Sequence, residues 1–91
     1  MSSPSTAPAR IVLYTTTRCG WCRRAKQLLH DRGLDFEEID VGDDDARREW
    51  LVRTTGGKKT VPQIFIDDRL IGGYEELAAK LRSGALGGWA A

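Results

Sequence analysis

The stretch that most constrains this chain runs from Arg10 to Val41, where a strand pattern, a helix pattern and a second strand pattern follow one another with little slack. "RIVLY" (Arg10–Tyr14) is an unbroken β-branched and aromatic run, as in a strand covered on both faces and so central in its sheet. From Trp21 to Arg32 the apolar residues recur at Trp21, Ala25, Leu28 and Leu29, one stripe of a helix, and Gly33 follows as its C-terminal cap. "DFEEIDV" (Asp35–Val41) alternates around Phe36, Ile39 and Val41 as a shorter strand. A strand, a helix and a strand within about 30 residues predict a parallel pair with a right-handed crossover.

The remainder completes a small layer. "DDDARREWLVRTT" opens on aspartates, favourable at a helix N-terminus, and carries Arg53 toward its other end, which predicts a second helix anchored by Trp50. "GGKK" is a basic loop. "QIFI" and "RLIGG" predict two strands joined at "DD" in a tight hairpin, and Leu77, Ala78 and Leu81 mark one face of a last helix. The expected fold is α/β in the order β-α-β-α-β-β-α, a four-stranded mixed sheet with three flanking helices. Residues 10–86 form the domain, 1–9 a flexible N-terminal tail and 87–91 a C-terminal tail.

Composition narrows the function classes. With 41% hydrophobic residues in 91, one core forms without a disulfide framework. Fourteen basic against thirteen acidic residues leave a formal charge of +1, so nucleic acid is not an expected partner. No apolar run reaches the ~20 residues of a membrane span, and the opening ten residues lack the apolar core of a secretory signal. The chain is therefore expected to be cytoplasmic and to act as a monomer away from membranes.

Its only cysteines, Cys19 and Cys22, flank Gly20 and Trp21. Cys19 falls where the first strand gives way to the first helix, so unpaired N–H groups and the helix dipole favour its thiolate, which is the nucleophilic form. Cys22 is one turn further on. A disulfide between them closes too short a loop to restrain the unfolded chain much, yet suits a reversible couple. Half a zinc site is the competing reading. It lacks a second cysteine pair, and His30 lies two turns along the helix. Arg18, Arg23 and Arg24 add local positive potential, although Arg23 and Arg24 read equally well as the solvated face of the helix. In "TVPQ", Pro62 marks the start of a strand. A cis bond there would turn the Val61 backbone outward to pair with a peptide-like ligand.

Taken in order and spacing, "YTTTRCGWCRRAKQLL", "TVPQIFID" and "IGGYEEL" resemble the glutaredoxins of the thioredoxin-like fold, specifically the small bacterial dithiol type, from about Ile11 to Leu86. The resemblance implies a glutathione-dependent thiol–disulfide oxidoreductase that reduces protein disulfides or glutathionylated proteins. Cys19 would be the nucleophile and Cys22 the resolving thiol. Glutathione, the cosubstrate, would lie against Trp21 and pair with the backbone of Thr60, Val61 and Pro62. Gly73, Tyr74 and Glu75 would receive its γ-glutamyl end at the start of the last helix. Arg53 matches the position that reaches the glycyl carboxylate, with Lys58 or Lys59 assisting.

Three positions depart from that pattern. The usual Pro-Tyr between the cysteines is Gly20-Trp21, the lysine often found three residues before the nucleophile is Thr16, and "GGKK" carries an extra residue. Arg18 is the candidate to replace the missing lysine's charge. Two alternatives stay open. Gly20 admits a [2Fe-2S] cluster held between two protomers through Cys19 and glutathione, with no other metal ligand expected. Thr16 admits a different reductant, either thioredoxin reductase or another low-molecular-weight thiol.

Overall fold

The computed structural model describes residues 10–83, so the two tails and the last residues of the expected domain lie outside the described residues. Strand β1 (Ile11–Thr15) is central, as its apolar run predicts. It pairs in parallel with β2 (Glu37–Asp40), Val12 opposite Glu37, and antiparallel with β3 (Gln63–Ile66), Ile11 opposite Ile66. Strand β4 (Arg69–Gly72) adds antiparallel to β3, giving the sheet order β2-β1-β3-β4. With helices α1 (Gly20–Asp31), α2 (Asp45–Thr54) and α3 (Tyr74–Ser83), the element order is the one the sequence patterns predict.

Alternation along β1 and β3 sorts the core into two layers. Ile11, Leu13, Ile64 and Ile66 face α1 and α3, where Ala25, Leu29, Leu77 and Leu81 complete a fully buried cluster. Tyr14 and Phe65 face the other way and meet Trp50 of α2, the three rings lying 5.5–6.1 Å apart by centroid. Trp50 is thus a partly exposed cover over two aromatic rings, and the buried anchor of α2 is its neighbour Leu51. The reason is angular. Adjacent helical positions differ by about 100° in direction, so only one of the two can point at the sheet.

Local chemistry fixes the ends of these elements. Gly33, at φ +70°, donates to the carbonyl of His30 while Leu34 donates to that of Leu29. This is the left-handed C-terminal cap that the glycine predicts. The Asp44 carboxylate accepts from the Arg47 N–H at 2.9 Å and starts α2. In the β3–β4 turn, Asp67 (φ 52°) and Asp68 (φ 66°) are both left-handed, as a two-residue hairpin requires. Among the described residues no helix is long and apolar enough to cross a membrane.

Candidate active site

The two cysteines stand where β1 feeds α1. Cys19 is the residue that caps α1: its backbone is extended (φ −125°, ψ 109°) and its sulfur accepts the N–H of Cys22 at 3.0 Å. A thiol here fills the role usually taken by Ser or Asp, satisfying a donor that the helix leaves unpaired. The first turn of α1 has no acidic residue, so nothing there opposes a thiolate. Cys19 and Cys22 form a disulfide, with Cα atoms 5.1 Å apart. Their surroundings differ. Cys22 is 1% exposed, whereas Cys19 is half-buried. Cys19 is therefore the more exposed of the two.

Opposite the sulfur runs the segment before β3. The Val61 carbonyl oxygen stands 3.6 Å from Cys19 Sγ, the Val61–Pro62 bond is cis, and Pro62 is buried. The Gln63 side chain donates to the Thr60 carbonyl at 3.0 Å and holds this loop against the start of the strand. A groove of about 230 Å3 follows, lined by Trp21, Thr60, Val61, Pro62, Gly73, Tyr74, Glu75 and Glu76. Trp21 and Tyr74 form its aromatic side, ring centroids 5.5 Å apart, and the Arg24 guanidinium lies 5.1 Å from the Trp21 ring centre.

Most of the sequence-derived candidates therefore share one groove beside the half-buried sulfur. Lys58 and Lys59 line a second groove of about 170 Å3 that shares Thr60 and Val61 with the first. Arg53 lines neither groove, and its guanidinium lies 3.6 Å from Glu49 on the same helix. Arg18 is exposed, next to Cys19 in sequence, and lines neither.

Two lining residues escaped the sequence reading. Glu76 accepts from the Gly73 N–H at 2.8 Å and so caps α3. The spacing from Gly73 to a glutamate three residues on is half of a capping box and carried that signal. Arg48 joins Lys58 and Lys59 in the second groove; one turn from Leu51 and Val52, it looked in the sequence like any solvated helix residue. Among the described residues no group of three or more His, Cys, Asp or Glu side chains is arranged to hold a metal ion. A larger depression of about 510 Å3 lies between Tyr14, Trp50 and the start of α2, but neither cysteine lines it.

Comparison with known proteins places this arrangement among relatives. The glutaredoxin family model matches residues 11–71. Glutaredoxin 3 of Escherichia coli strain K12 is 41% identical over 78 residues, covering 86% of this chain and 93% of that protein. The solution structure of a Brucella melitensis glutaredoxin aligns with a TM-score of 0.79 at 34% identity, over 93% of this chain and 90% of that one. The crystal structure of a buckwheat glutaredoxin–glutathione complex aligns with a TM-score of 0.78 at 33% identity, over 86% and 73% respectively.

Proposed function

Because the chain belongs to the glutaredoxin family of thiol–disulfide oxidoreductases, we propose that its cosubstrate is glutathione and that its substrates are protein disulfides and glutathione mixed disulfides. The observation that carries this reading is the groove of Trp21, Thr60–Pro62 and Gly73–Glu75, whose Val61 carbonyl stands 3.6 Å from the sulfur of half-buried Cys19. The buckwheat relative solved with glutathione supports the same choice of ligand.

In the reduced protein the Cys19 thiolate attacks the glutathione sulfur of a mixed disulfide. The Cys19–glutathione bond forms as the substrate's sulfur leaves as a thiolate and takes up a proton. A second glutathione thiolate then attacks the adduct, releasing glutathione disulfide and restoring Cys19. With a protein disulfide, Cys19 forms the mixed disulfide with the substrate. Cys22 then attacks Cys19, leaving the Cys19–Cys22 bond seen in this structure, which two glutathiones reduce in turn.

The tripeptide is oriented by three groups of this chain. The Val61 main chain pairs with its extended backbone. The start of α3 at Gly73 and Tyr74 receives the γ-glutamyl carboxylate, with Glu75 drawing the ammonium. Lys58 and Lys59, with Arg48 beside them, offer positive charge to the glycyl carboxylate. Arg53 would have to leave Glu49 to join them, an exposed pair that costs little to break.

The test is intact mass after reduced Cys22→Ser protein is titrated with glutathione disulfide, whose bond the Cys19 thiolate breaks as it forms the adduct and releases one glutathione. A single glutathione adduct on Cys19 supports the reading. Adduct formation only with another low-molecular-weight thiol, or reduction only by thioredoxin reductase, would replace the cosubstrate and leave the oxidoreductase assignment standing.

A further inference from the structure

Behind the redox pair, one carboxylate oxygen holds two elements at once. Glu38 of β2 accepts, on the same Oε2, the Thr15 hydroxyl at 2.7 Å and the Lys26 ammonium at 2.9 Å. Thr15 is the last residue of β1 and is fully buried; its carbonyl also accepts the Val41 N–H at 2.8 Å. Lys26 lies one turn beyond Cys22 on α1. The two donors therefore bracket residues 16–25, the segment that contains both cysteines, and a single atom ties its ends together.

We propose that Glu38 is a positioning residue for the redox centre: by joining Thr15 to Lys26 it fixes the start of α1 relative to β1, and so keeps the Cys22 N–H on the Cys19 sulfur.

The inference follows from what determines the nucleophile. The sulfur's preference for the thiolate form depends on its place at the helix end and on the N–H it accepts, and both fall off within the first turn. Residues 16–18 between strand and cap make no hydrogen bond among themselves, and Gly20 at the first helical position adds no side chain to stiffen the turn. Restraint at the ends of the segment therefore sets the geometry at its middle. Glu38 touches neither cysteine and acts only through Thr15 and Lys26.

A simple charge effect would have the opposite sign. Removing the Glu38 carboxylate leaves the Lys26 cation without its partner near the cysteines, which would favour the thiolate and speed its reactions. Loss of positioning slows them instead.

The experiment measures alkylation of Cys19 by iodoacetamide at neutral pH in the reduced protein, well below the melting temperature, with the adduct located by peptide mass. Glu38→Ala and Thr15→Val are expected to slow the reaction about two- to fivefold, the range of a weakened helix-end interaction. Thr15→Val changes no charge and keeps the β-branched shape of a buried strand residue, so it serves even if Glu38→Ala folds poorly. Glu38→Gln, whose amide oxygen can accept both bonds while the Lys26 charge is no longer neutralised, is expected to react at the wild-type rate or somewhat faster. Wild-type alkylation in Thr15→Val, or faster alkylation in Glu38→Ala, would overturn the proposal and leave the triad a purely structural tie seen only in the melting temperature.

Discussion

Cys22 donates its backbone N–H to the sulfur of Cys19 across 3.0 Å, so the accessible cysteine caps the helix on which the sheltered one rides. The proposed nucleophile is thus part of the secondary structure. Its chemistry and the start of α1 can be separated only by a residue that keeps the cap and loses the thiolate.

Serine is that residue. Cys19→Ser retains a good capping oxygen, so its stability is expected to stay within about 1 kcal/mol of the reduced wild type. Turnover of a glutathione mixed disulfide should fall by about three orders of magnitude or more, because the hydroxyl is not ionised at neutral pH. Urea unfolding and a coupled glutathione assay on the same preparation check both halves. Retained activity would remove Cys19 from the mechanism.

Acid should weaken the fold partly through Glu38. Burial pushes its carboxyl up, but the hydrogen bonds from Thr15 and Lys26 and the Lys26 charge outweigh that, holding it below the ordinary value of 4.5. With the folded value the lower one, the unfolded chain binds more protons between the two. The contribution is then complete above pH 4.5 and is lost as pH falls through the folded value. Both side chains are about a third exposed, which limits the effect to about 1 kcal/mol or less. Stability measured by urea at pH 7 and at pH 3 should fall less in Glu38→Gln than in the wild type. Equal losses would show that other carboxylates carry the whole acid response.

Gly72 is required by both backbone and space. It sits at φ +126°, and a Cβ there would stand 2.8 Å from Cγ of Glu76, the side chain that caps α3 through Gly73. Gly72→Ala is expected to cost about 1–3 kcal/mol in urea unfolding, from strain and from displacing the cap. Because Glu76→Ala removes the nearest clashing atom, the double variant should lose less than the sum of the singles. Strict additivity would argue against this account of the glycine.

The order of elements was legible because each strand and helix carries its own period, and the caps at Gly33 and Asp44 are short-range chemistry. The redox pair was legible for the same reason: its spacing and its place after a strand are local. What the sequence hid depends on direction. Trp50 looked like the anchor of α2, yet Leu51 points inward, and one helical step decides which of two apolar neighbours is buried. Arg53 was matched by position to the glycyl carboxylate; its side chain lies 3.6 Å from Glu49, while Arg48 lines the second groove with Lys58 and Lys59, a difference of helical direction. The Glu38 tie joins three elements and has no local signature at all.

The β3–β4 turn invites a stabilising change. Asp68 holds φ at 66° and pairs with Arg10 only at 3.8 Å on a highly exposed surface, so its side chain contributes little against the cost of a left-handed backbone. Asp67 is different: its carboxylate accepts the Arg10 N–H at 2.9 Å and ties the turn to the start of β1. Asp68→Gly is therefore expected to stabilise by about 0.5–1 kcal/mol, and Asp67→Gly to gain less or to lose. Paired melts of the two variants decide it, and equal effects would mean that the Asp67 bond contributes nothing.

Trp21 separates ligand binding from stability. It is 51% exposed, so removing its ring costs the fold little, and what packs against it is Tyr74 on one side and the Arg24 guanidinium within 5.1 Å. That ring forms one wall of the groove near Cys19 and, with glutathione bound there as proposed, would cover the tripeptide from water. In Trp21→Ala the stability should change by about 1 kcal/mol or less. KM for a glutathione mixed disulfide should rise about three- to tenfold with kcat nearly kept, since the ring binds ground and transition states alike. Trp21→Phe, which keeps a flat apolar face, should recover most of the loss. If kcat falls and KM holds, the ring acts on the sulfur chemistry itself, and the groove beside Cys19 is not where glutathione is held.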